Sequence, residues 1–201
     1  MGVSDLVVAK FEETLLILLQ DKPIDKITVD EIVSNSGFSK RTFYNHFRDK
    51  NDLVSSIWRR EYRNSWFDDN GEPLTFREFL VKYHSREIEL LKFLRNTLPY
   101  SGQNNLWETV QEFTVFNLVD FIERCGYGDR IDGDLMASIE FFTHGVNGLA
   151  QTEFRHMSMH SAQYTAKTPE EKADEEFGFL PERLRPYLLL DPKCPCLPEG
   201  M

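Results

Sequence analysis

The sequence predicts an all-α chain, and three observations carry that expectation. Apolar residues return every three or four positions along most of its length. Period-two alternation, the mark of a half-buried strand, is absent. The segments so marked are bounded by residues that start or stop helices. With 201 residues and 41% hydrophobic content the chain can bury a sizeable core. No apolar run approaches the ~20 residues that a bilayer span needs, and no charged-then-apolar leader opens the chain. A cytoplasmic protein without a membrane partner is therefore expected.

The elements follow in order. Val7, Phe11, Leu15 and Leu18 line one side of a first helix over about residues 4–20, which Asp21, Lys22 and Pro23 end because proline cannot continue the ladder. Thr28 is an N-cap for a second helix, with Glu31 completing a capping box and Val29, Ile32 and Val33 as the buried side. Gly37 stops it in a conformation that other residues resist. Ser39 caps a third helix that buries Phe43 and Phe47. Asp52 is expected to cap a fourth, burying Leu53, Ile57, Trp58, Tyr62 and Trp66. The run Asp68-Asp69-Asn70-Gly71-Glu72-Pro73 breaks the pattern. It divides the chain into residues 1–66, residues 74–190 and a tail, 191–201.

Beyond the break, helices are expected over 75–86, 87–97, 105–124 and 134–156, with one short helix within 169–190. The helices over 105–124 and 134–156 are apolar on more than one face. Such a helix must be covered on several sides, by its own core and by a second subunit. Gly145 and Gly148 would let that partner come close.

The spacing of Thr28–Phe47 is that of a helix-turn-helix. Its second helix is studded with groups that hydrogen-bond DNA. Lys40 and Arg41 can donate to guanine O6 and N7, and Asn45 suits adenine through its paired donor and acceptor. Thr42 can bond a phosphate or touch a thymine methyl. Tyr44, His46 and Lys50 can reach phosphates and set the register. The net charge of −10 does not oppose this, because residues 1–64 hold 10 Lys+Arg and 10 Asp+Glu and the whole excess lies beyond them. Between residues 39 and 50, Lys40, Arg41, Arg48 and Lys50 face only Asp49, a local basic patch of the kind phosphate contact requires.

The run Ser-Gly-Phe-Ser-Lys-Arg-Thr-Phe-Tyr-Asn-His-Phe, followed by Lys50 and Leu53, resembles the DNA-binding domain of TetR-type transcriptional regulators. The likeness spans about Val7 to Tyr62 and is dense from Thr28 to Leu53. It implies an all-helical homodimer on a palindromic operator in double-stranded DNA. It also implies a C-terminal half that binds a small-molecule effector and supplies the dimer interface, and a repressor that the effector releases. Position by position, Thr28, Tyr44, His46 and Lys50 would contact phosphates. Lys40, Arg41, Thr42 and Asn45 would read bases, and Ser39, the cap of their helix, is counted with the DNA-binding residues. Asp30 and Glu31 stand where some relatives carry a basic base-contacting residue, so the second helix is expected to read none.

The C-terminal half is rich in aromatics with scattered polar groups, among them His84, Tyr100, Asn117 and Asn147. An aromatic pocket with a few polar anchors is how many small ligands are held. The candidate effector residues are Tyr83, Trp107, Phe113, Phe116, Phe141 and His144. A docking surface for a protein partner, in a regulator or an activator, is the alternative use of this half. Glu153, His156 and His160 share a helical face at spacings that can hold a metal, though a solvated helix end explains them as well; Glu140 with His144 is a weaker pair. No Ser/His/Asp, Cys/His or Gly-rich phosphate constellation appears, so neither an enzyme nor a cofactor is expected. Cys125, Cys194 and Cys196 form no disulfide framework, and Cys194-Pro-Cys196 reads as a plain chain end.

Overall fold

A computed structural model describes residues 2–99, 102–159 and 167–192, with side chains described at all of these except 155–159. Ten α-helices and two single 3-10 turns account for the regular structure, and no strand occurs among the described residues. The helices are α1 (Val3–Leu18), α2 (Val29–Ser36), α3 (Lys40–His46), α4 (Lys50–Asn64), α5 (Phe76–Glu89), α6 (Leu91–Thr97), α7 (Leu106–Arg124), α8 (Gly133–Met159), α9 (Pro169–Gly178) and α10 (Arg185–Leu188). The chain forms two compact units: Met1–Glu61 with Glu89–Thr109, and Tyr62–Ile88 with Val110–Met201. This partition differs from the linear one expected at the 68–73 break.

In the first unit the aromatic core is built around Phe11 of α1. Its ring meets Phe43 and Phe47 edge-on at 5.3 and 6.1 Å and Phe38 at 5.4 Å. Thr28 caps α2 by accepting from the Glu31 amide (3.2 Å), but the Glu31 carboxylate pairs with Lys22 instead of completing a capping box. Gly37 ends α2 in the left-handed region, φ 78°. Ser39 caps α3, accepting from the Thr42 amide at 3.0 Å. Asp49, not Asp52, caps α4: its carboxylate accepts from the amides of Asn51 and Asp52 at 2.7 and 2.9 Å. Asp52, a turn later, reaches back to the Arg48 amide at 3.0 Å. Residues 89–109 join this unit through side chains that the linear pattern did not reveal. Asn96 donates to the Leu19 carbonyl (2.7 Å) and Asn51 to that of Gln103 (3.2 Å).

The second unit is organised by aromatic stacking. Trp66 lies flat on Phe79, centroids 3.8 Å apart and planes 10° from parallel. The 68–73 run is a tight turn: Asp68 accepts from the amides of Asn70 and Glu72 (both 2.8 Å), and Gly71 supplies φ 82°. Helices expected over 75–86 and 87–97 meet at Leu90, so residues 87–89 continue α5. The single helix expected in 169–190 is two, α9 and α10. Thr168 and Glu171 form a full capping box at the start of α9, and Pro169 occupies its first turn.

Candidate DNA interface and effector cavity

Helix α3 has two sharply different sides. Phe43 is fully buried, while Lys40, Arg41, Tyr44 and Asn45 are exposed and Thr42 and His46 are half-buried. A helix of seven residues held by one aromatic anchor and a serine cap therefore presents four exposed polar side chains together. Tyr44, 56% exposed, rests edge-on against Phe43, which fixes the direction of its hydroxyl. Thr28 is exposed at the N-terminus of α2.

Three of the basic residues have partners within the unit, Arg48 lying 3.7 Å from Asp52. Lys40 pairs with Asp30 of α2 at 2.5 Å, and that hydrogen bond and charge hold its ammonium above the usual lysine range. Both groups are well exposed, so the pair is easily exchanged for a DNA acceptor. Lys50 is different. Its ammonium donates to the carbonyls of Ile24 and Ile27, each at 2.6 Å, and burial pushes its pKa down. It clamps the 3-10 turn that leads into α2, with two of its three N–H donors spent on the protein. Arg41 makes no ion pair among the described residues.

The second unit encloses a cavity of about 150 Å³ between α5, α7, α8 and α9, closed on one side by Tyr62 at the end of α4. Phe76, Phe79, Leu80, Tyr83, Leu118, Phe142 and Val146 make it apolar, and Thr114, Thr143 and Asn147 add polar points. Asn147 donates to Thr114 at 3.0 Å, tying α8 to α7. At one end lies a charged cluster. His84 Nδ1 donates to Glu87 (2.8 Å), and Nε2 lies 2.9 Å from Glu176 but off the N–H axis, an ion contact without a hydrogen bond. Burial pushes the imidazole down, but the two carboxylates outweigh it and bring its pKa up to about 9. Burial likewise pushes Glu87 up, and His84 with Lys172 outweighs it, holding the carboxyl below its ordinary value. Burial pushes Tyr83 well up, so its hydroxyl stays protonated.

Of the six residues expected to line an effector site, the structure brings only Tyr83 to the cavity. Phe116 and Phe141 point outward, 62% and 76% exposed, and His144 is exposed with Nδ1 2.7 Å from the Glu140 carbonyl. Phe113 packs on Tyr62 and Phe116, and Trp107 belongs to the other unit. The reason is the same in each case: aromatics at helical spacing mark several faces of α7 and α8, and only one face looks inward. Among the lining residues that the sequence reading did not single out, Glu87, Lys172 and Glu176 are charged. Only the His84–Glu87 spacing of one helical turn carried a sequence signal for them. Glu153 lines the cavity and pairs with Lys172 at 3.6 Å, while His160 and the side chain of His156 lie outside the described residues. No group of three or more His, Cys, Asp and Glu is placed to hold a metal among the described residues. Tyr100, Cys194 and Cys196 also lie outside them. No described helix is long and apolar enough to cross a membrane.

Residues 14–57 match the family model of bacterial regulatory proteins of the tetR family, a stretch that runs from within α1 through α2 and α3 into α4. None of the second unit is matched. No curated protein matches the chain.

Proposed function

On the footing that this chain is a DNA-binding transcriptional regulator with an N-terminal helix-turn-helix domain of the tetR family, we propose that it works as a homodimeric repressor released from a palindromic operator by a small effector. The observation that carries the reading is the exposed face of α3, where Lys40, Arg41, Tyr44 and Asn45 stand together over a buried Phe43. Lys40, Arg41, Thr42 and Asn45 read base edges in the major groove, and Thr28, Tyr44 and His46 fix the register on phosphates. Lys50 acts one step back, by holding the entry to α2. Two such helices in a dimer would meet successive major grooves about 34–36 Å apart.

An outward stripe on α8 supports dimerisation. Phe141, His144, Gly145 and Gly148 are exposed along it, and Phe116 is exposed on α7. A Cβ added at either glycine would meet open space, so a second helix can approach the backbone there. Burying such a stripe against its copy removes large apolar side chains from water. The cavity of the second unit supports effector control, since a ligand that binds one conformation better shifts the population toward it.

The test is DNA binding by the Lys40→Ala, Arg41→Ala double variant at physiological salt. Loss of discrimination between operator and random duplex is expected. Full selectivity in the double variant would rule out α3 as the reading helix.

A further inference from the structure

Among the described residues, the cavity of the second unit carries an excess of carboxylates over cations. Its lining holds two cationic groups, His84 and Lys172, against four carboxylates, Glu87, Glu153, Glu175 and Glu176. His84 is committed to Glu87 and Glu176 at 2.8 and 2.9 Å. Lys172 is loosely held, 3.7 Å from Glu87 and 3.6 Å from Glu153, both beyond hydrogen-bond length. Glu175 turns to Lys167, which lies outside the lining. Even with Lys167 counted, the carboxylates outnumber the cations among the described residues, and Glu153 has no close ion pair there, with Lys172 at 3.6 Å and only the longer-range field of Lys167. Much of the remaining lining is apolar and aromatic, with Phe79, Tyr83 and Phe142 among it, a surface that suits an apolar ring.

We propose that this cavity takes a small organic monocation, a ring-sized apolar body bearing an ammonium that hydrogen-bonds Glu153. The inference rests on the effector reading above and names the chemical class that the effector would have. A carboxylate ligand would add negative charge to a site already in excess of it, and like charges in a partly buried site repel more strongly than in open water. A neutral ligand would leave Glu153 as it is. The volume, about 150 Å³, is on the scale of a cavity that holds one benzene ring.

The test is calorimetric titration of the full-length protein at pH 7, without DNA, with three probes that share one ring and differ in charge: 2-phenylethylamine, 2-phenylethanol and phenylacetate. The amine is expected to bind about tenfold or more tightly than either of the others, the worth of one charge-assisted hydrogen bond. Glu153→Gln, a near-isosteric change at a partly exposed site, should weaken the amine about tenfold and leave the alcohol unchanged. Equal or tighter binding of the alcohol or the acid, no heat from any probe, or an unaffected amine in Glu153→Gln would overturn the proposal. An amine that binds but leaves the protein on its operator would count against the repressor reading and not against this one.

Discussion

Lys50 offers a clean contrast between a residue that touches DNA and one that positions the residues that do. Its ammonium donates to the Ile24 and Ile27 carbonyls at 2.6 Å each. Replacing it with glutamine removes both bonds, because the shorter amide cannot span the same gap. A hydrogen bond involving a charged group is worth about 1.5–3 kcal/mol when buried. Lys50 is only half-buried, so its ammonium regains part of its hydration when the bonds break. The net loss is therefore put at about 2 kcal/mol, below the roughly 3–6 kcal/mol that two such bonds would give in full. For a chain of this size that corresponds to a fall in Tm of about 4–8 °C. Thermal unfolding reads this directly. The second measurement is the salt dependence of operator binding. A lysine that neutralises a phosphate contributes about 0.9 to the slope of log K against log salt concentration. A clamp contributes nothing. Lys50→Gln should thus lower Tm and leave the slope unchanged. A variant that kept its Tm and lost about one unit of slope would refute the reasoning and return Lys50 to the phosphate contacts.

Ser39→Ala removes the cap of α3 and should cost about 1 kcal/mol of stability, read by urea unfolding, with operator affinity falling in parallel. Phe141→Glu should convert a dimer to a monomer in light scattering without lowering helicity, since the ring is 76% exposed. A variant that remained dimeric would move the interface elsewhere. His84 has a folded pKa raised to about 9 from 6.5. Its contribution to stability is therefore fully present below about pH 6.5 and lost as pH rises through about 9. Urea midpoints across that window should fall more steeply in the wild type than in His84→Gln, and parallel profiles would show that the imidazole is not the titrating group.

The first unit was largely legible because its determinants are local. Thr28, Ser39 and Gly37 cap or break helices within a turn of themselves, and each does so in the structure. The side of α3 that faces out follows from Phe43 and Phe47 being in. What sequence could not supply was the employment of single charges. Lys50 reads as a phosphate contact because it is basic and lies in the right stretch. Its actual partners are carbonyls more than 20 positions away, and no spacing rule reports such a bond. Asp49 and Asp52 are both plausible caps for α4, and choosing between them depends on where α4 starts, a boundary that fluctuates by a residue or two in any pattern-based reading.

The cavity was illegible for a deeper reason. An aromatic residue on a helix signals that some face is apolar, but α7 and α8 each have apolar side chains on more than one face. Phe142 is buried at the cavity and its neighbour Phe141 is exposed, so two adjacent phenylalanines in one helix have opposite fates. A 100° step along the helix is all that separates them. Which face becomes a pocket is decided by α5 and α9, which bring His84 and Lys172 from sequence positions 88 residues apart. Charged residues such as Glu87 and Glu176 default to solvent in any reading of one chain, because isolated carboxylates are seldom buried. Here they are tolerated beside the His84 imidazolium, which a one-turn spacing links to Glu87 but which nothing in the sequence links to Glu176. A cavity assembled from long-range charge pairs therefore has to be read from the fold, whereas a helix capped to present a row of polar side chains can be read from the letters.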